Sequence, residues 1–381
     1  MTRKIIVTGF LQTLSPLHIA APSSARVDSE TGQLSYDEKK TPCSTIQKMK
    51  LAVPIKVVRE NVEDKIFTPS VPVIAANNLS GRIRRRVGTE FLNALSTKAT
   101  PETVSISTYS AIMSGAATGN PDGTPVSYDE YKRAKEHVFL GLMGGGPRMM
   151  ERRARTHNSL AYCTTSKDLL DDSRIPFDQI YQEGWFVTKQ ANFVELNASD
   201  LTQIWTYRRN DDLRDLVNIS HASEQITDFV ASYNERQAKI IEEKNQKGES
   251  KTSTFTFQAL EFVQPGVSFP LVFVLDDISD EQAGLWFRGF DAFCKEERLG
   301  GLSRNGFGEF HIQHGRVAVF VDGELESSED LADESGFRVK AIESWLNVAE
   351  KQEAAEIEWL MRLPPPKKDK KAKKEEATSE E

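Results

Sequence analysis

The sequence predicts an α+β fold of ferredoxin-like order. Three observations carry that prediction. A β-type strand at residues 4–19 leads toward an amphipathic helix that begins near Asn78. A later strand at 267–275 leads into a second helix at 281–298. That helix returns to strand-like segments at 309–313 and 317–321. Strand–helix followed by strand–helix–strand, with long insertions, suits helices packed on one face of an antiparallel sheet.

The opening strand takes its β character from Ile5, Val7 and Phe10, and Pro16 ends its pairing. Residues 20–40 are polar and carry Pro22 and Gly32, which predicts a long loop of the kind that often serves function. A short strand is expected at 51–58, confined to a sheet edge by Pro54. Pro69 and Pro72 punctuate the approach to the first helix, with Asn78 as its expected N-cap. Leu79, Ile83, Val87, Phe91 and Leu95 recur every four residues as a helical apolar stripe, and Arg82, Arg85 and Arg86 lie off it. Residues 98–127, rich in Ser, Thr, Ala, Gly and Pro, predict an insertion with little core of its own. A helix is expected over 128–142, an exposed excursion over 200–220 and a charged helix over 223–247. Strands at 252–262 and 267–275 are joined by the Pro265-Gly266 turn. The helix at 281–298 gathers Leu285, Trp286, Gly289, Phe290 and Phe293 on one face. A terminal helix over 340–363 stops at Pro364-Pro365-Pro366, and the Lys/Glu-rich tail over 364–381 is expected to be disordered.

The formal charge of the 381-residue chain is -8. That argues against a surface adhesive to nucleic acid everywhere. It permits a local basic groove, because the field depends on where charges sit. Cys43, Cys163 and Cys294 form no C-x-x-C pair, so neither a zinc knuckle nor a disulfide framework is expected, and a reducing compartment fits. The apolar run at the N-terminus is too short for a signal peptide, and none elsewhere would span a bilayer. A cytoplasmic protein with no membrane partner is expected.

Two segments carry most of the functional signal. In Gly300-Gly301-Leu302-Ser303-Arg304-Asn305-Gly306-Phe307-Gly308, four glycines in nine residues let backbone amides approach an anion, and Arg304 adds a forked cation. The stretch lacks the Gly-Lys-Ser/Thr ending of a P-loop and does not fit G-x-G-x-x-G. A tight helix-to-strand connection explains the same glycines. In Asn77-Asn78-Leu79-Ser80-Gly81-Arg82-Ile83-Arg84-Arg85-Arg86, four cations in five residues repel one another, which polyanion phosphates would relieve; a solvated helix face is the other reading. Gly144-Gly145-Gly146-Pro147-Arg148, followed by Arg152, Arg153 and Arg155, reads as a basic loop, flexible or RNA-contacting. Arg208 and Arg209 sit beside Asp211 and Asp212, which suits an internal salt-bridged turn as well as an RNA contact. None of the six histidines falls in an H-E-x-x-H or H-x-E pattern. Asp28 and Asp37 lie in the polar loop, where a carboxylate could assist metal-dependent RNA cleavage or be merely solvated. No metal site and no cofactor are expected.

Thr13-Leu14-Ser15-Pro16-Leu17-His18-Ile19, Val71-Pro72-Val73-Ile74-Ala75-Ala76 running into the arginine segment, and the late glycine-rich stretch together resemble the RAMP superfamily of CRISPR proteins. Phe262-Val263-Gln264-Pro265-Gly266-Val267-Ser268-Phe269 resembles the strand–turn–strand that precedes the last helix in these proteins. The resemblance runs in patches from residue 5 to 321 and is greatest to backbone subunits that polymerise along guide RNA. It implies an RNA-recognition-motif-like (ferredoxin-like) palm with an inserted thumb and a helical subdomain. On that reading 1–97 and 252–323 form the palm, 98–199 an insertion, 200–251 the thumb and charged helix, and 324–363 a C-terminal helical segment.

The residues expected at guide RNA are Asn77, Asn78, Ser80, Arg82, Arg85, Arg86, Arg148, Arg152, Arg153, Arg208, Gly301, Arg304, Asn305 and Gly306. The implied partners are guide RNA, further copies of the chain in a filament, other CRISPR effector subunits, and a DNA or RNA target paired to the guide. His18 matches a motif position with an implied structural role. Type III backbone subunits cut target RNA with an acidic residue after the first strand, a region where this chain has Asp28 and Asp37. The Ala20-Ala21-Pro22 continuation departs from the glycine-rich type III pattern. The Gly144-Gly145-Gly146-Pro147-Arg148 run and the Asn77-Asn78-Leu79-Ser80-Gly81 helix start look more like type IV subunits, which are thought not to cleave. A non-catalytic scaffold is therefore expected. The alternatives are a metal-dependent endoribonuclease using Asp28 or Asp37, and a nucleotide-binding enzyme using the 300–308 loop.

Overall fold

The computed structural model describes residues 3–21, 25–27, 34–35, 41–50, 53–54, 66–67, 70–115, 127–145, 151–161, 200–208, 231–232, 235, 238–239, 257–296 and 298–362. The N-terminal part contains β1 (Arg3–Thr13), β2 (Ala25–Val27), β3 (Leu34–Ser35), β4 (Thr41–Ser44), β5 (Lys48–Lys50), β6 (Val53–Pro54), β7 (Ile66–Phe67) and β8 (Ser70–Ile74). Then come α1 (Ala76–Ser96), α2 (Ile106–Ser114), α3 (Tyr128–Glu136), α4 (Leu140–Met143), β9 (Ala154–Thr156), β10 (Ser159–Leu160) and β11 (Thr202–Arg208). The last third holds β12 (Phe257–Val263), β13 (Ser268–Asp276), α5 (Asp280–Glu296), β14 (Phe310–Val321), β15 (Glu324–Asp330), α6 (Phe337–Ala349) and α7 (Ala354–Leu360).

The chain divides into two compact units: Met1–Ile19, Gln47–Thr202 and Val263–Glu381 in one, Ala20–Ile46 and Gln203–Phe262 in the other. β1 organises the first. Ile5, Ile6, Val7, Phe10 and Leu11 are all buried, so apolar side chains leave both faces of the strand, which suits a central position. β13 and β14 flank it antiparallel, with Val7 opposite Phe273 on one side and Val317 on the other. The sheet order is β15-β14-β1-β13-β9. Two strand–helix–strand connections therefore interleave, β1–α1–β9 and β13–α5–β14, each straddling a strand of the other.

One face of this sheet carries α5 through an aromatic layer. Trp286 stacks on Phe290 at 4.9 Å, and Phe273 of β13 meets Phe290 edge-on at 5.5 Å. α1 crosses α5 where Gly289 meets Val87; a Cβ there would lie 2.4 Å from the Val87 side chain, so only glycine admits the approach. Leu79, Ile83, Val87, Phe91 and Leu95 of α1 are all buried, as the stripe predicts. Ile6, Phe10, Val272, Val274 and Ala318, with Phe320 against them, form a second cluster on the opposite face of the sheet. A small sheet of order β10-β8-β5 belongs to the same unit.

The second unit is a sheet of order β11-β12-β4-β2-β3, in which β12 and β4 run parallel and β2 pairs antiparallel with β4 and β3. Cys43, Ala259 and Ile204 pack on one another, and the Glu261 carboxylate, buried, accepts from the Ile46 amide at 3.2 Å.

Several elements differ from the sequence expectation. Residues 20–40, expected as a loop, supply β2 and β3. The strands expected at 309–313 and 317–321 are one strand, β14, whose register shifts opposite Gly9, with His314 at φ 50°. β15 was not anticipated, because its residues Glu324-Leu325-Glu326-Ser327-Ser328-Glu329-Asp330 carry almost no apolar signal; it lies at the sheet edge, where little is buried. The 98–127 segment has a core contribution after all, through Thr108, Ala111 and Ile112 of α2. The single terminal helix expected over 340–363 is broken into α6 and α7. The strand expected at 51–58 is seen as Val53–Pro54, with its other residues outside the described set. The 223–247 helix lies almost wholly outside the described residues, and the 364–381 tail entirely so.

The helix expected over 128–142 breaks at His137, which takes extended backbone angles. Its buried ring replaces the missing helix bonds: Nδ1 accepts from the amides of Phe139 and Leu140, both at 3.2 Å, as α4 begins. Burial pushes this imidazole down to about 4. The acceptor role also requires a neutral ring. Acid should therefore destabilise the fold through His137. Its folded pKa lies below the ordinary value of 6.5. The stability tied to the neutral ring is complete above that ordinary value and is lost as pH falls toward 4. Denaturant titrations at about pH 7 and about pH 4.5 check this, since stability should follow the protons the unfolded chain binds. His137→Gln keeps an acceptor that does not titrate, so it should flatten the loss. Equal losses in parent and variant would disprove the assignment.

Candidate nucleic-acid interface

α1 begins one turn earlier than Asn78 suggested. Ala75 is the N-cap, with no side-chain bond of its own, and the Ala76 amide instead donates to Asn158 Oδ1 at 2.9 Å. A residue from the β9–β10 turn thus satisfies one of the amides that a helix start leaves open. Asn77 and Asn78 are exposed on the first turn. Ser80 is buried, which takes it out of an exposed contact set; it shares the inward side of α1 with Leu79.

The four arginines of α1 separate by position. Arg84 is buried and donates to four carbonyls: Ile112 through Nε (2.7 Å), Met143 through Nη1 (2.6 Å), and Ala111 and Gly144 through Nη2 (3.1 and 2.9 Å). These oxygens lie at the C-terminal ends of α2 and α4, where carbonyls run short of intrahelical partners, although Ala111 also accepts from the Gly115 amide at 2.9 Å. The guanidinium also lies 5.4 Å from the Phe139 ring centroid. Burial, and then the charge of Arg152, lower its pKa to about 10, which still leaves it charged at neutral pH. Part of the repulsion noted in the sequence is therefore relieved by protein carbonyls and needs no phosphate. Losing the side chain would strand several buried acceptors, each worth about 1–3 kcal/mol.

Arg82 is half-buried, and its Nη2 donates to the Gly300 carbonyl at 3.1 Å. Arg85 is exposed and Arg86 half-buried. The Arg82 bond brings the arginine segment and the glycine-rich loop together from distant parts of the sequence. The loop is in turn moored to the chain just beyond β1. The Gly301 amide donates to the His18 carbonyl and the Gly308 amide to the Pro16 carbonyl, both at 2.8 Å. Leu299 donates to Gly308 across the neck at 2.9 Å. A Cβ at Gly300 would lie 2.2 Å from the His18 carbonyl oxygen, and its φ is +72°, so glycine is required here by contact and by conformation. Phe307 is buried as the anchor. Between these fixed points Ser303–Asn305 form one 3-10 turn that holds Arg304 and Asn305 in solvent, followed by exposed Gly306 at φ 82°. His18 is buried, and its carbonyl is what the loop uses.

The remaining expected residues fare differently. Arg153 spends its donors inside the fold, on the carbonyls of Gly141, Asp277 and Lys135 (2.7 Å) and on Gln282 Oε1 (3.0 Å). Arg152 is half-buried near Arg84, and burial lowers its pKa. Arg155 pairs with Asp276. Arg208 ends β11, with its side chain outside the described set. Arg148, Asp28 and Asp37 also lie outside the described residues. Among the described residues no group of three or more His, Cys, Asp or Glu could hold a metal ion, and no helix is long and apolar enough to cross a membrane. Cys43 is buried and Cys294 half-buried; burial, then Asp291, push the Cys294 thiol up to about 12.

The family model of the RAMP superfamily matches residues 10–311. No curated protein matches the chain. Among solved structures, a chain of a Type IV-B CRISPR complex is similar over 87% of this chain and 99% of its own, at 12% identity and a TM-score of 0.41.

Gly300→Ala should dislodge the loop from His18 while the core remains. Limited proteolysis should then cut within 300–308 faster than in the parent, with little change in melting temperature. Unchanged cleavage would show that the loop tolerates a side chain where the geometry forbids one.

Proposed function

Because the chain belongs to the RAMP superfamily, we propose that it is a non-catalytic backbone subunit of a CRISPR effector complex, most like the type IV subunits, and that it oligomerises along guide RNA. The observation that carries this reading is the Arg82–Gly300 bond, which joins the cationic helix start to the glycine-rich loop. Asn77, Asn78, Arg85 and Arg86 on α1, with Arg304, Asn305 and Gly306 on the loop, then supply donors and positive charge on neighbouring elements. Such groups hold phosphates and leave bases free to pair, so sequence recognition passes to the guide, as in other RNA-guided systems. The interleaved crossovers of the first unit we read as the RNA-recognition-motif-like, ferredoxin-like palm. The second unit, which includes much of the expected thumb segment, we read as the thumb that a neighbouring copy meets. The type IV assignment rests on the motifs of α1 and of the 144–148 run.

Binding to single-stranded guide RNA should weaken steeply with salt. Arg85→Ala and Arg304→Ala should each reduce the slope of log K against log salt by about 0.7, the value for one single-strand phosphate contact. Slopes equal to the parent's in both variants would leave α1 and the loop as solvated surface. The assembly should leave labelled complementary RNA intact in the presence of a divalent cation. Cleavage that disappears with Asp28→Ala or Asp37→Ala would make the protein an endoribonuclease.

A further inference from the structure

The glycine-rich loop has a brace that belongs to neither of its glycine clusters. Arg298 follows α5, just before the loop opens. Its Nη1 donates to the Ser303 carbonyl at 3.0 Å, inside the exposed turn, and its Nη2 to Glu309 Oε1 at 2.5 Å, on the far side. Glu309 is itself fixed: its amide donates to Ser15 Oγ at 2.8 Å, and its carbonyl accepts from the amides of Leu14 and Ser15 at 2.8 and 3.3 Å. One guanidinium therefore spans from a point tied to the β1 continuation to the turn that carries Arg304. The Leu299–Gly308 bond and the Gly300 and Gly301 contacts with His18 fix the neck, and a long bond from the Phe307 amide to the Leu302 carbonyl, 3.4 Å, ties the turn to the buried Phe307. Within the turn the bonds are local, from Asn305 to Leu302 and from Gly306 to Ser303.

We infer that Arg298 is a positioning residue, which sets the orientation of the Ser303–Asn305 turn so that Arg304 meets a phosphate of bound RNA. The inference rests on the proposed RNA-binding role of the loop. Arg298 is a poor candidate for a phosphate ligand of its own, because Glu309 neutralises it and both ends of its fork are taken. It is also a poor candidate for a pillar of global stability. Arg298 and Glu309 are 43% and 47% exposed, and ion pairs in that setting contribute little. What the pair supplies is direction: a forked donor holds two acceptors in fixed relation, which a lysine cannot do.

The test is a double-mutant cycle on the full chain, with a labelled mixed-sequence single-stranded RNA titrated at several salt concentrations. Arg304→Ala should weaken binding about tenfold, the loss of one charge-assisted contact, and flatten the salt slope by about 0.7. Arg298→Ala should do the same with the melting temperature nearly unchanged, and Arg298→Lys should not rescue it. The double variant should be no worse than Arg304→Ala alone, because a residue that acts through another adds nothing once the other is gone. Glu309→Ala should weaken binding, since it frees the far end of the brace. Additive losses in the double variant, or tighter binding by Glu309→Ala, would make Arg298 a direct phosphate contact and overturn the inference. Parent-like binding by Arg298→Ala beside a weakened Arg304→Ala would overturn it and leave the RNA-binding reading standing. A silent Arg304→Ala would remove the inference together with the loop's part in RNA binding, and Arg85→Ala would then decide whether α1 binds without it.

Discussion

Both edges of β1 are hydrogen-bonded, to β13 and to β14, and this double pairing is the constraint from which the rest follows. A strand held on two sides has little freedom where it leaves the sheet. Residues 14–18 inherit that order: Leu14 and Ser15 donate to Glu309, and Leu17 exchanges bonds with Val263. The carbonyls of Pro16 and His18 then face the glycine-rich loop and receive its amides. The exposed turn is thus linked, through residues 14–18, to a strand paired on both edges. Sites held on stiff elements keep their geometry better than sites on free loops.

The arginines of α1 show how a helix assigns different work to like residues. Arg84 lies in line with buried Ser80 and Gly88, so its guanidinium enters the interior and meets carbonyls at the ends of α2 and α4. Arg82 turns toward Gly300, and Arg85 stays in water. One cluster in the sequence thereby becomes a structural tie, a link to the loop and an exposed cation. The acidity of the chain as a whole does not oppose this, because the field at a surface is set by nearby charges.

Much of this was legible in the sequence. The stripe from Leu79 to Leu95 predicted the buried face of α1, and the crowding of Trp286, Phe290 and Phe293 predicted the core of α5. The glycine-rich and arginine-rich segments were both visible. What escaped was set by distant partners. Asn158 satisfies the start of α1 from 82 residues away, and nothing local to Asn78 reveals it. Arg84 looked like its exposed neighbours, although the small residues at 80 and 88 mark an inward row in hindsight. Arg298 looked like the charged end of a helix, and its role depends on where Glu309 is moored. The bulge in β14 read as a gap between two strands, because periodicity breaks wherever a register shifts.

The acidic strand β15 has a consequence of its own. It closes one side of the main sheet with Glu324, Glu326, Glu329 and Asp330. A strand's outer margin offers unmet amides and carbonyls to any passing chain, and charge is a common means of refusing that offer. If two molecules aligned these margins, carboxylates would confront carboxylates. The sheet therefore resists running on into an intermolecular ribbon, even where many molecules are crowded side by side.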